Sequence, residues 1–299
     1  MGVSAAENLR FPVMGTIQAS QQTIFVERED RGSGSRAGEL ISSIARDHRW
    51  PRLAIYPEGN TSSGRQLCGF KAGAFAPGLP VQPLVISYAG NPHAHPAWVE
   101  PLGLPLHNVV LSLLLQPINF MTATWLPPLS PSAEEVKQPA LFAARVQATM
   151  AAALDVPTTE YSFADTRLLF AARKLRLPAA IALLEMDKAA RLWGVGFADC
   201  REVLERFAAG GGPGATSLSP SQLVEALRLG GAGLSGGEVG AVWETFRQPG
   251  GAQEGVSFRE LVAGLAPLAR AAKAKGSSSA GAAAGFVELA VRELLSKLK

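Results

Sequence analysis

The chain has 299 residues but only two cysteines, Cys68 and Cys200. That excludes a disulfide framework or a cysteine-built zinc cluster, and two free thiols in a reducing compartment are expected. No run of about 18 uninterrupted apolar residues occurs, so no transmembrane helix is predicted. The nearest candidate, Val109 to Leu115, is far too short and is ended by Pro117. No basic segment followed by an apolar one trails Met1-Gly2, so no signal peptide is expected, and Gly2 with Ser4 poorly matches a myristoylation site. Charge is also sparse, at 18% of residues against 47% hydrophobic. This composition is globular, with material for a core and length for two domains. The formal net charge of +3 suits an anionic surface or substrate without specifying either. Histidine is scarce. His93, His95 and His107 lie in or beside a Pro-rich stretch with no Cys or carboxylate at ligand spacing, so no metal site is predicted.

What is present centres on residues 53 to 88. Leu53-Ala54-Ile55-Tyr56 is short, uncharged and of strand length, as a strand buried on both faces would be. Leu84 to Tyr88 reads the same way. Between them a carboxylate is followed at once by glycine, in Tyr56-Pro57-Glu58-Gly59-Asn60-Thr61. Glycine permits a sharp turn and close approach of a ligand to the main chain. A polar loop at the end of a buried strand is where open α/β sheets bind ligands.

Several blocks in this region resemble the glycerophospholipid acyltransferases, in particular the lysophosphatidylcholine acyltransferase branch with EF-hand-like modules after the catalytic domain. Tyr56-Pro57-Glu58-Gly59 is similar to that family's third motif. Phe70-Lys71-Ala72-Gly73-Ala74-Phe75 is similar to the block that follows it, and Val81-Gln82-Pro83 to the fourth motif. Gly15-Thr16-Ile17 and Ile24-Phe25-Val26-Glu27-Arg28 look like the second motif, which ends in a phosphate-binding arginine. The resemblance reaches roughly Pro178. Two departures stand out. Asn60 replaces the usual Thr, and no histidine is followed five residues later by Asp, the family's His-x-x-x-x-Asp base motif. His95 has Glu100 at that distance, but after the fourth motif. A chain that begins inside the catalytic domain, or a relative that has lost the base, is the expectation.

The resemblance implies an α/β fold, a partly parallel sheet flanked by helices, followed by an all-α EF-hand-like domain. Read along the chain, residues 1 to 12 look irregular and Ile17 to Arg28 reads as a strand pair or a strand after a turn. Ala37 to Arg46 reads as a helix, ended by Trp50-Pro51. Leu106 to Leu115 reads as a short apolar helix, Phe120 to Leu126 as a last strand, and Pro139 to Leu154 as a helix with Leu141, Val146 and Met150 on its apolar stripe. Phe163 to Leu177 is a basic helix, placed either on an anionic membrane or on the core with a solvated basic face.

The expected domains are an acyltransferase-like region over 1–178, a degenerate EF-hand-like pair over 179–268, a flexible linker over 269–285 and an amphipathic helix over 286–299. That helix is open to three roles: half of a further EF-hand, a partner contact or a membrane contact. In the pair, Val256 at the eighth loop position puts Glu260 at the twelfth, with Pro249, Gly251 and Gln253 at the early ligand positions. In the other loop Leu218 and Gln222 take those places, after Gly211, Pro213 and Ala215. Calcium needs oxygen ligands at the early positions, so calcium-free modules are predicted and Glu260 is a helix-start residue.

By resemblance, the activity is transfer of an acyl chain from acyl-CoA to a lysophospholipid in phospholipid remodelling. The alternative is a truncated or non-catalytic relative that binds lipid or protein. No catalytic residue is assigned, and the chain alone is expected to be inactive. Arg28, Glu58, Gly59, Asn60, Thr61 and Lys71 are the candidate substrate-binding residues, with Arg28 on the phosphate. No cofactor is expected beyond acyl-CoA as co-substrate. The expected partners are lysophospholipid and a membrane surface, not nucleic acid, at a cytosol-facing endoplasmic reticulum or other endomembrane.

Overall fold

The computed structural model describes residues 2–6, 9, 12–21, 23–26, 33–59, 64–88, 106–232, 234–247, 255–275 and 285–298. The chain divides into two compact units, Met1–Phe163 and Ala164–Lys299. The sequence-predicted boundary at 178 falls later. The difference is the basic helix, whose Leu168 and Ala172 are fully buried in the second unit's core.

The first unit opens with β1 (Val3–Ala5), α1 (Pro12–Ser20) and β2 (Ile24–Val26). β1 and β2 pair in parallel, Val3 opposite Ile24 and Ala5 opposite Val26. A parallel pair requires a crossover, which α1 supplies. The expected irregular start is therefore a strand, and Ile17 belongs to a helix rather than to a strand. Pro12 is the reason: it stands at the first helical position, where its missing N–H costs nothing. Ala54 forms an isolated parallel bridge to Gly2. Next come α2 (Ser33–Arg46), which buries Ile41, and β3 (Leu84–Ser87), α3 (Leu106–Leu114) and β4 (Thr122–Trp125). β3 pairs antiparallel with β4, Leu84 opposite Trp125 and Ser87 opposite Thr122. Among the described residues β1 with β2 and β3 with β4 are separate two-stranded sheets, the first parallel and the second antiparallel.

The two apolar runs predicted to be buried on both faces are not. Ala54 is exposed, Tyr56 is 75% exposed, and Leu53 and Ile55 are half-buried. In β3 only Val85 is buried. Each run has one covered face among the described residues, so its outward positions meet solvent.

α4 (Ala133–Lys137) and α5 (Pro139–Leu154) follow. α4 starts with a capping box, in which Ser132 and Glu135 satisfy each other's backbone N–H groups. α5 carries the unit's aromatic core on Phe142, Ala143, Val146 and Ala151, against Leu67, Phe70 and Phe75. The stripe is rotated from the predicted one: Leu141 is exposed and Phe142 buried.

The second unit contains α6 (Phe163–Lys174, beginning at the boundary), α7 (Met186–Trp193), α8 (Phe197–Gly211), β5 (Ser217–Leu218), α9 (Pro220–Ala226), α10 (Gly236–Phe246), β6 (Val256–Ser257), α11 (Phe258–Ala274) and α12 (Phe286–Leu298). α6 leaves Arg173 and Lys174 exposed around its buried Leu168, which is the core-packed alternative. α8 with α9 and α10 with α11 flank β5 and β6, which pair antiparallel, Leu218 opposite Val256. Phe207 meets Phe258 edge to face at 6.0 Å between centroids. Part of the predicted linker is helical, since α11 runs to Ala274 and buries Ala272; residues 276–284 lie outside the described residues. α12 buries Phe286, Val287, Ala290 and Leu294 against α8 and α11. Glu202 of α8 accepts from Phe286 N–H at 2.8 Å and Val287 N–H at 3.3 Å, a carboxylate at the positive end of the helix. This face therefore packs within the unit, which fills the surface left open for a partner or membrane. Burial in the same core pushes the Cys200 thiol up to about 12, so it is inert at neutral pH.

One electrostatic clasp closes α4 onto α5. Arg145 donates to Glu135 at 2.6 and 2.8 Å and to Ser130 O at 2.7 Å. Hydrogen bonds from Arg145 and then from Ser132 N–H bring the Glu135 carboxyl down to about 2, from an ordinary value near 4.5. A depressed carboxyl pKa stabilises the fold above its ordinary value and loses that contribution as pH falls through the folded one. Stability should therefore decline between about pH 4.5 and 2 in the native protein. Thermal melts across that range should show a shallower decline for Glu135→Gln than for the native chain, and parallel curves would contradict the clasp.

Candidate functional site

The site is a loop anchored twice. The first anchor is aromatic. Phe70 and Phe75 are 7% and 5% exposed, with ring centroids 6.3 Å apart and planes 8° from parallel. Phe75 also meets Phe142 of α5 edge to face at 5.5 Å. The segment between the two phenylalanines holds a single 3-10 turn, Ala72–Ala74, and leaves Lys71 exposed. The apolar ends of the block are pinned, so its one cation is presented outward.

The second anchor is main-chain. Leu67 N–H donates to Pro157 O at 3.0 Å, Thr159 N–H to Leu67 O at 3.0 Å, and Gly69 N–H to Tyr161 O at 3.0 Å. Buried Gln147 of α5 adds its amide nitrogen to Leu67 O, Cys68 O and Thr159 O at 3.1, 2.9 and 3.2 Å.

These anchors bring the Tyr56-Pro57-Glu58-Gly59 corner against the Phe-Lys block. Gly59 N–H donates to Tyr56 O at 3.0 Å, closing the turn, and Lys71 N–H donates to Pro57 O at 2.9 Å. Cys68 N–H donates to Glu58 Oε2 at 3.3 Å. Gly59 has φ +73°, a left-handed conformation that favours glycine. A β-carbon placed on it would lie 2.7 Å from both Cε and Nζ of Lys71, so the ammonium lies over the glycine.

Glu58, Gly59 and Lys71 are therefore brought together: a carboxylate, a left-handed glycine corner and an ammonium. Arg28, Asn60 and Thr61 lie outside the described residues. β2, whose end precedes Arg28 in sequence, runs parallel to β1, and Ala54, which precedes Glu58, makes a single parallel bridge to Gly2. Two residues were not anticipated. Cys68 supplies the N–H for Glu58, and backbone donors leave no trace in sequence. Gln147 did leave one: it sits four residues from both Ala143 and Ala151, a polar residue within the buried stripe of α5.

Among the described residues no group of three or more His, Cys, Asp or Glu is placed to hold a metal. Gln222 and Glu260, read from the sequence as twelfth loop positions, accept from Ser219 N–H at 2.9 Å and Ser257 N–H at 2.7 Å as helix caps. A surface depression at Ser130–Ser132, Glu134, Glu135, Leu141 and Arg145 shares no residue with the Glu58 corner, and its two main charges neutralise each other.

Gly59→Ala should destabilise the first unit by about 1–2 kcal/mol through the left-handed conformation alone, and Phe75→Ala by about 3–5 kcal/mol through the cavity it leaves. Denaturant titration of both variants checks this. A neutral Phe75→Ala would contradict the aromatic anchor.

Comparison with known proteins extends the pattern. A family model described as Acyltransferase matches residues 1–87. Lysophosphatidylcholine acyltransferase 1 of Danio rerio is 39% identical over 207 residues, 69% of this chain and 40% of that protein. Lysophosphatidylcholine acyltransferase 1 of Homo sapiens is 36% identical over 207 residues, 69% of this chain and 38% of that protein. Lysophosphatidylcholine acyltransferase 2B of Rattus norvegicus is 33% identical over the same length, again 69% of this chain and 40% of that protein. No solved structure matches the chain significantly. The chain spans about 40% of the length of these relatives. The Glu-Gly corner, the Phe-Lys block and these identities point the same way: residues 1–87 match the Acyltransferase family model, and the chain is similar over 69% of its length to lysophosphatidylcholine acyltransferases.

Proposed function

We propose that the first unit carries the lysophospholipid side of an acyltransferase site that takes its acyl group from acyl-CoA, in phospholipid remodelling. The observation that carries this reading is the Lys71 ammonium held over the Gly59 corner beside the Glu58 carboxylate. An ammonium suits a phosphate, and a carboxylate suits a glycerol hydroxyl. Arg28 joins them as a bidentate phosphate grip, with Asn60 and Thr61 as further hydrogen-bonding groups. The parallel run of β2 on β1 and the single parallel bridge of Ala54 to Gly2 support Arg28 in that role, because chains leaving parallel strands emerge at one end of the sheet.

The reaction requires a base that takes the proton of the free hydroxyl, whose oxygen then attacks the thioester carbonyl; CoA leaves as thiolate and is protonated. No histidine in this sequence has an Asp five residues on. The second reading is a relative that binds lysophospholipid without transferring to it. The helix–loop–helix pair we read as calcium-free, its twelfth-position side chains being used as caps.

The membrane contact belongs to the first unit. Sequence from Pro101 to Ala133 holds no Asp, Glu, Lys or Arg. Its described part exposes Leu111, Leu114, Leu115, Ile118, Phe120, Met121 and Trp125 by 54–77%. Trp125 shares a sheet face with Leu84, its cross-strand partner. A charge-free apolar surface of this kind suits the interfacial region of a bilayer. No described helix is long and apolar enough to cross one. An endoplasmic reticulum or other endomembrane surface is the proposed location.

Calorimetry with a short-chain lysophosphatidylcholine below its micelle concentration should give saturable binding, weakened about tenfold or more by Glu58→Gln or Lys71→Met. No saturable binding, or binding unchanged in both variants, would remove the reading. The same titrations with Ca²⁺ should give no heat, and micromolar binding would overturn the calcium-free reading. Flotation with zwitterionic vesicles should carry the native chain upward and leave Leu114→Ser/Trp125→Ser behind. Equal flotation of the two would place the contact elsewhere.

A further inference from the structure

We infer that Gln147 is a positioning residue for Glu58, acting through one peptide plane. Leu67 C=O and Cys68 N–H belong to the same peptide unit. Its oxygen accepts from Gln147 Nε2 at 3.1 Å and from Thr159 N–H at 3.0 Å. Its N–H, on the opposite edge of the plane, donates to Glu58 Oε2 at 3.3 Å. A peptide is rigid and planar, so gripping the oxygen sets the direction of the N–H. The two hydrogen bonds also polarise one another.

The orientation of the Gln147 side chain is settled by its surroundings. Three carbonyl oxygens, of Leu67, Cys68 and Thr159, lie within 2.9–3.2 Å of one side-chain atom, and only the amide nitrogen donates. Gln147 is 9% exposed and sits on the α5 face shared with Phe142, Val146 and Ala151, so its amide faces a fixed target from a packed helix. The same helix, through Phe142, holds the Phe75 end of the block that presents Lys71. α5 thus sets both charges of the corner, the cation through an aromatic contact and the anion through an amide. The functional consequence rests on the reading of Glu58 as a lysophospholipid contact, whereas the positioning itself does not.

Two measurements separate these. The first needs no ligand. In ¹⁵N–¹H spectra of the full chain, Gln147→Met should shift the Cys68 amide and speed its hydrogen exchange, while amides of β1, β2 and the second unit stay unchanged. An unaltered Cys68 amide overturns the inference whether or not any lipid binds. The second is a double-mutant cycle on affinity for short-chain lysophosphatidylcholine. Gln147→Met should weaken binding about tenfold, and little further in combination with Glu58→Gln, since both disturb one carboxylate. Additive losses, or full affinity in Gln147→Met, overturn the inference. A native chain that binds no lysophosphatidylcholine sinks the site reading instead, and the Cys68 amide still decides the positioning. Should Gln147→Met fail to fold, Gln147→His keeps one N–H donor and is read in its place, with a smaller shift of the same amide expected.

Discussion

The first unit depends on how α5 meets the loop between residues 67 and 75. Phe142 meets Phe75 edge to face, Phe75 lies parallel to Phe70, and Gln147 ties three carbonyl oxygens of the neighbouring backbone. Apolar burial of this kind is worth about 1.5–3 kcal/mol per large side chain. A buried acceptor without a donor costs about 1–3 kcal/mol. Both effects act at one seam, and everything chemically interesting lies on its solvent side: the Glu58 carboxylate, the left-handed Gly59 and the exposed Lys71. A rigid inner edge holds the polar outer edge in its geometry.

The second unit is stabilised differently. Its loops are held by serine capping boxes at Ser219, Ser235 and Ser257, each closed by a side chain three residues on. Gln222 and Glu260 satisfy helix ends where a calcium loop would use a ligand, and β5 with β6 joins the two halves across Leu218 and Val256. α12 then covers the core with Phe286, Val287 and Leu294, capped by Glu202 and tied by Lys275 to the buried Glu293 at 2.6 Å. Packing and caps are what the described residues of this unit contribute to its stability.

Much of this was legible in sequence, and what was not has identifiable causes. Helices with strong end signals were readable: Pro139 and Asp155 bracket α5, and Phe286 opens α12. The Glu58, Gly59 and Lys71 cluster was readable from its two blocks and their spacing. α1 was missed because Gly15 and Thr16 are poor helix formers and Pro12 looks like a break rather than a first turn. Burial of 53–56 was misjudged because an uncharged run carries no information on how many neighbours flank it; Tyr56 ends up 75% exposed. The stripe of α5 was rotated because Leu141 and Phe142 compete for one position, and ring packing with Phe75 decides between them. Backbone donors such as Cys68 N–H are invisible until the fold places them.

Photo-crosslinking maps the centre of this account most directly. A lysophosphatidylcholine carrying a photoreactive group beside its phosphate, irradiated with the full chain and followed by peptide mass mapping, should label residues 56–59 and 67–75. Labelling confined to the second unit, or scattered without competition from unlabelled lysophosphatidylcholine, would contradict it.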